Sequence, residues 1–161
     1  MIKHPNLIPE CNVDTAFVEM YGFKDPNHAY SISEVSAILE KKMTGKKAIG
    51  FVDNDKRKPQ YLKEFKEIES SNKVSLLKHP RQRHFLVVVT PAMDRFIFEL
   101  CKRLEIDLAH YKLPKEYKAF ESFTKKQAIK NNANFKNLLN TIRQKKPEEI
   151  LKIQSWFDKY M

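Results

Sequence analysis

The chain reads as an α/β protein with a mainly parallel central sheet, flanking helices and a helical extension at its carboxyl end. Three observations carry this reading. Residues 48–52 and 85–89 are short continuous apolar runs, of the length and β-branched content of strands buried on both faces. Helical spacing alternates with these runs, most plainly over residues 91–104. After Asp107 the strand-like runs cease and three helical patterns follow. The 161 residues therefore divide into an α/β domain over 1–112 and a helical extension over 113–161 packed on it.

The elements follow in order. Residues 6–9 predict a first strand and residues 14–21 a helix, ended by Gly22 and Pro26. Residues 28–32 form a further short strand candidate. Ser33 caps a helix carrying Val35, Ile38 and Leu39 on one face, and Gly45 closes it. Strand 48–52 comes next, then the basic loop Lys56-Arg57-Lys58-Pro59. Tyr61, Leu62, Phe65 and Ile68 then fall at helical spacing and predict a helix over 60–69. Residues 74–77 form a strand, and residues 85–89 the strongest, central one. The loop between them, residues 78–84, is basic and holds His79 and His84, which read as solvated loop side chains that could reach phosphate. Thr90 and Pro91 occupy the first positions of a helix running to Leu104. The extension reads as helices over 116–130, 133–145 and 148–160. The last opens on Pro147 with Glu148 and Glu149 in its first turn. Its wide apolar face, including Ile153, Trp156 and Phe157, predicts docking onto the body of the protein.

Composition narrows the function. The 3 glycines leave no glycine-rich phosphate loop and no dinucleotide fingerprint. No Gly-x-Ser-x-Gly elbow or His-Glu-x-x-His motif occurs. Cys11 and Cys101 lack metal-ligand spacing, and a reducing cytoplasm is the expected compartment. No apolar run is long enough to span a bilayer. The net charge is +10, and its sign changes along the chain: −4 over residues 1–40, +5 over 41–58 and +7 over 112–161. That balance suits a polyanionic partner, and nucleic acid, DNA or RNA, is the expected one.

The most informative stretch is Ala48-Ile49-Gly50-Phe51-Val52-Asp53-Asn54-Asp55. It carries an apolar strand straight into two aspartates at i, i+2. Ligands of open α/β sheets bind at the carboxyl ends of strands, and carboxylates there suit a hard divalent cation, Mg²⁺ or Mn²⁺. Glu10 closes the first strand and Asp14 follows it at i+4. Asp94 lies in the first turn after the strongest strand, where it could favour the helix dipole or add an acidic group to the same crevice.

This order of strand, Glu10, Asp14, helix, strand and Asp53-x-Asp55 resembles the Toprim-like group, with its small Toprim and overcoming-lysogenization-defect-like nucleases, over roughly residues 5–105. The Pro91-Ala92-Met93-Asp94-Arg95-Phe96 segment is similar to a short acidic pattern in that group. Cys11 stands where the family usually has glycine, and Pro9 precedes the glutamate. The resemblance implies a Toprim-like or Rossmann-like fold and a metal-dependent phosphodiester-cleaving activity. Glu10, Asp53 and Asp55 would be the catalytic metal-binding set, with Asp14 and Asp94 as further acidic ligands. Lys56, Arg57, Lys58, Arg81 and Arg83 would hold the phosphate backbone. The alternative is a noncatalytic α/β module that binds nucleic acid or protein and keeps a decayed acidic site. A receiver-like domain, which also pairs acidic groups at strand ends, fits less well, because Thr90-Pro91-Ala92 offers no lysine after the last strand.

Overall fold

A computed structural model describes residues 4–54 and 57–161. Five strands form one sheet in the order β1-β2-β5-β4-β3. They are β1 Leu7–Pro9, β2 Ala48–Asp53, β3 Lys66–Ser71, β4 Val74–Lys78 and β5 His84–Val89. β1, β2 and β5 run parallel, whereas β4 and β3 complete the sheet antiparallel. The sheet is therefore mixed and parallel only at one end. The expectation of a mainly parallel sheet missed one strand, β3, and the hairpin that joins it to β4.

Side-chain alternation sorts the strands onto two cores. Leu7, Ile49, Phe51, Leu76, Phe85, Val87 and Val89 face one side. That side is covered by α1 (Asn12–Glu19), α4 (Met93–Arg103) and the helices of the extension. Ile8, Ala48, Val52, Leu77, Leu86 and Val88 face the other, under α2 (Ile32–Ala37) and the single turn α3 (Gln60–Lys63). Gly50 belongs to this second face for a steric reason. A Cβ there would meet Leu86 Cδ1 and Val35 Cγ1 at 3.0 Å and Leu39 Cδ1 at 3.2 Å, so α2 sits close only because the side chain is absent.

The extension is continuous with the first core. Its helices are α5 (Tyr117–Thr124), α6 (Ala133–Lys145) and α7 (Glu148–Tyr160). Phe120, Phe135, Leu138, Ile153 and Trp156 pack in the same apolar cluster as Phe17 and Phe51. Phe157 lies against Phe51, Tyr21 and Phe23, with ring centroids 6.3, 5.2 and 4.8 Å away. The Tyr21 hydroxyl donates to the Ile150 carbonyl at 3.0 Å, and Arg143 donates to the Met20 carbonyl at 2.8 Å. Among the described residues, no helix is long and apolar enough to cross a membrane.

Four local expectations are corrected. Residues 28–32 are not a strand, because Ser31 already caps α2. Its hydroxyl accepts from Glu34 N at 3.1 Å, while Glu34 accepts from Tyr30 N at 3.2 Å, a variant of the capping box. Ser31, not Ser33, is thus the cap, and α2 passes into a π-helical turn over Ile38–Lys42. The helix over 60–69 is one turn only. Tyr61, Leu62 and Phe65 are buried, but Lys66, Glu67 and Ile68 are exposed on the edge strand β3, and charged side chains there discourage edge-to-edge pairing. Asn72, at φ 51°, makes the turn into β4. Finally, α4 begins after Ala92 rather than at Pro91.

His79 and His84 are buried, not solvated. His84 Nε2 donates to the Met43 carbonyl at 2.8 Å, so its Nδ1 accepts from the Tyr61 hydroxyl at 2.6 Å. His79 Nδ1 accepts from the backbone of Arg81 and Gln82, both at 3.1 Å, and its ring stacks on Tyr61 at 4.7 Å. Burial, and secondarily the neighbouring His79, lower the proton affinity of His84, although the Met43 carbonyl opposes this. The neutral ring is therefore the one the fold prefers. Its contribution to stability is complete above the ordinary value of 6.5 and is lost as pH falls through the depressed folded value. His28, depressed mainly by burial, adds in the same direction. The melting temperature is expected to fall between pH 7 and pH 5, and the His84 ring to titrate below 6.5 by NMR. A ring that titrates at or above that value would contradict the assignment.

Candidate metal centre

The parallel strands β1, β2 and β5 end on the same side of the sheet, and the acidic groups gather there. Glu10 follows the last residue of β1, and its backbone N–H donates to the Phe51 carbonyl at 3.0 Å. Asp53 is the last residue of β2 and pairs with Val89 of β5. Asp14 lies in the first turn of α1. One carboxylate oxygen from each of Glu10, Asp14 and Asp53 lies within 4.8 Å of those of the other two. All three side chains are buried, Asp14 completely. The donor set is oxygen only, as hard divalent cations require. Three carboxylates this close repel one another, and a cation among them removes that repulsion. The residues present therefore fit a divalent metal ion.

Backbone hydrogen bonds orient Glu10 and Asp53. Glu10 Oε2 accepts from Asp53 N at 3.1 Å, tying β1 to β2. Asp53 Oδ1 accepts from Met93 N at 3.0 Å, at the first residue of α4. Asp53 thus supplies the cap that Ala92 lacks, which explains why α4 starts where it does.

Cys11 and Pro9, on either side of Glu10, are both accommodated locally. Cys11 has φ −139° and ψ 179°, ordinary extended backbone, so no glycine is needed there. Burial, and then the carboxylate of Asp14, push its thiol far up, which keeps it protonated beside the cluster. Pro9 ends an edge strand, where a missing backbone donor is tolerated.

Glu10, Asp14 and Asp53 are brought together, but Asp94 is not part of the cluster. It lines the same cleft, where it accepts from Arg95 N at 2.9 Å and from the Tyr117 hydroxyl at 3.4 Å. Asp55 and Lys56 lie outside the described residues. Arg57 is exposed and Lys58 half-buried in the loop leaving β2. Arg81 and Arg83 are far from the cluster. Ala48 pairs with His84 and Asp53 with Val89, so the loop before β5 is at the opposite end of the sheet, about 17 Å away at a strand's rise per residue. There Arg81 pairs with Glu64 at 3.1 Å and Arg83 donates to the Gly45 carbonyl at 2.9 Å. Both tie that loop to neighbouring segments, after α3 and before β2.

A cleft of about 420 Å³ opens over Cys11 and Asp53. Its walls come from the start of α4 and from α5, which place Arg95, Tyr117 and Glu121 opposite the strand ends. The sequence reading did not single these out. Arg95 beside Asp94 was the available signal; Tyr117 carries none, because its place depends on how the extension docks. No family model, curated protein or solved structure matches the chain.

Proposed function

We propose that the protein is a divalent-metal-dependent phosphodiesterase acting on nucleic acid, with Glu10, Asp14 and Asp53 as the ligands of Mg²⁺ or Mn²⁺. The observation that carries this reading is the convergence of three buried carboxylates, from three elements, at the carboxyl ends of adjacent parallel strands. Held by Glu10, Asp14 and Asp53, such an ion would supply Lewis-acid chemistry, polarising a phosphoryl oxygen and offsetting charge on the attacking and leaving oxygens. The chain's own contribution is to hold the ligands. The Asp53 backbone N–H fixes the Glu10 carboxylate, and the start of α4 fixes that of Asp53. The open cleft above Asp53 gives a substrate access to the centre. The positive net charge and the exposed Arg57 support a polyanionic substrate.

A second reading has an observation of its own. Glu10 and Asp53 each accept a backbone hydrogen bond that joins two elements, so the carboxylates also brace the fold, as a noncatalytic binding module would require. End-labelled single- and double-stranded DNA and RNA with Mn²⁺ separate the two. Wild type is expected to cleave at least one substrate, and Asp53→Asn to lower the rate by at least about 100-fold, beyond what loss of a group behind the ligands costs. Metal uptake without cleavage of any of them would leave the binding module.

A further inference from the structure

We propose that Arg95 grips the phosphate of one nucleotide in the cleft beside the carboxylate cluster, and that Tyr117 is the positioning residue that aims it. The proposal rests on the metal-centre reading and names the binding group of that same site. The Arg95 guanidinium carbon lies 3.6 Å from the centroid of the Tyr117 ring, a close cation–π stack. Stacking uses the flat face of the guanidinium and leaves its in-plane N–H fork for an oxyanion, which it can hold with two parallel hydrogen bonds.

The tyrosine is itself held. Its one hydroxyl proton goes to Glu121 at 3.0 Å, with Asp94 at 3.4 Å as the weaker acceptor, so the ring cannot turn away without losing that hydrogen bond. Burial, and then the Glu121 hydrogen bond, raise the phenol's proton affinity, which keeps it a donor. Glu121 is also paired with Lys125 at 3.6 Å, and Asp94 also accepts from the Arg95 backbone N–H at 2.9 Å. Among the described residues, Arg95 forms an ion pair with Glu99, one turn along α4 at 3.5 Å, with both side chains 40% or more exposed. Such a pair is weak and yields to a better anion.

The size of the cleft sets the ligand. About 420 Å³ lies in the range of small-molecule sites and takes one nucleotide unit, not a duplex. The cleft joins Asp53 to Arg95, so a phosphate on Arg95 lies alongside the cluster. The acidic floor alone would repel a phosphate. Arg95 on the wall and a cation in the cluster reverse that balance. Tyr117 belongs to the extension and Arg95 to the α/β body, so the extension completes the site.

The test uses the full chain and a fluorescein-labelled single strand of ten thymidylates carrying a 5′-phosphate. Its affinity is read by anisotropy in Ca²⁺ and again in EDTA, with Mn²⁺ uptake measured separately by calorimetry. Arg95→Ala is expected to weaken binding in Ca²⁺ on the order of tenfold or more, the worth of a charge-assisted hydrogen-bond pair. Arg95→Lys should recover part of the loss. Tyr117→Phe keeps the ring but loses the hydroxyl that holds it and should weaken binding about twofold, whereas Tyr117→Ala, which also loses the stack, should weaken binding about threefold or more. All four variants should take up Mn²⁺ as wild type does; a purely structural role for Tyr117 would impair uptake and binding together. Wild type and Arg95→Ala binding alike, in both media, would overturn the assignment while leaving the metal centre intact. Wild type that takes up no Mn²⁺ would overturn the metal centre, and the EDTA comparison would still report on Arg95.

Discussion

Replacing Trp156 by alanine is expected to lower the unfolding free energy by about 3–5 kcal/mol, the cost of emptying a fully buried aromatic site. Trp156 is 1% exposed and is the largest fully buried side chain. Its indole N–H donates to Glu69 Oε2 at 2.8 Å, and Lys152 pairs with the other oxygen of the same carboxylate. Glu69 sits on the edge strand β3, so this group ties α7 to the sheet. The pairing favours the ionised carboxylate and holds Glu69 below its usual range. The substitution removes the apolar volume and the indole donor together. For a chain of 161 residues the melting temperature should drop by about 6–20 °C. Urea denaturation followed by circular dichroism checks this. A change below about 1 kcal/mol would mean that α7 is not the anchor its packing indicates. The 1 tryptophan of the chain also gives a direct optical probe, because emission of a buried indole shifts to the red on unfolding.

How much of this was legible in the sequence depends on what each residue had to reveal. β2 and β5 are continuous apolar runs because both of their faces are covered, and such runs announce themselves. β3 does not. Lys66, Glu67 and Ile68 are exposed on an edge strand, so the apolar pattern a strand would show is missing. The spacing of Tyr61, Leu62, Phe65 and Ile68 imitates a helix by coincidence of a single turn and a strand entry. The best local sign was Asn72, a residue that tolerates the left-handed backbone of a tight turn.

At the site, Glu10 and Asp53 were readable because they close β1 and β2, whose ends in a parallel array must lie together, and Asp14 because it follows Glu10 by four residues at the start of α1. Arg81 and Arg83 were misplaced for the complementary reason. They precede β5, and its direction puts them at the opposite end from Asp53. Arg95 and Tyr117 meet only after the extension folds back, 22 residues later in the chain. No spacing rule reaches across such a connection. His79 and His84 lie in a loop by sequence but in a core by structure, because Tyr61 and Phe65 cover them.

The central claim is that Glu10, Asp14 and Asp53 are one metal-binding unit. Without a metal, three ionised carboxylates this close in a buried site would repel one another, and Asp14 is one of them, fully buried in α1. Asp14→Asn keeps the shape and removes one charge, so the metal-free variant should melt at or above the wild-type temperature. On this account a divalent ion would bind the folded cluster and not the unfolded chain. At about 100 times its dissociation constant it adds about 2.7 kcal/mol, or roughly 5–11 °C for a protein of this size. The most direct measurement is therefore scanning calorimetry of wild type, Asp14→Asn and Asp53→Asn, each with and without Mn²⁺. A rise confined to wild type, together with an Asp14→Asn protein no less stable than wild type in EDTA, is the predicted result. The absence of any Mn²⁺-dependent rise in wild type, or an equal rise in all three proteins, would contradict it.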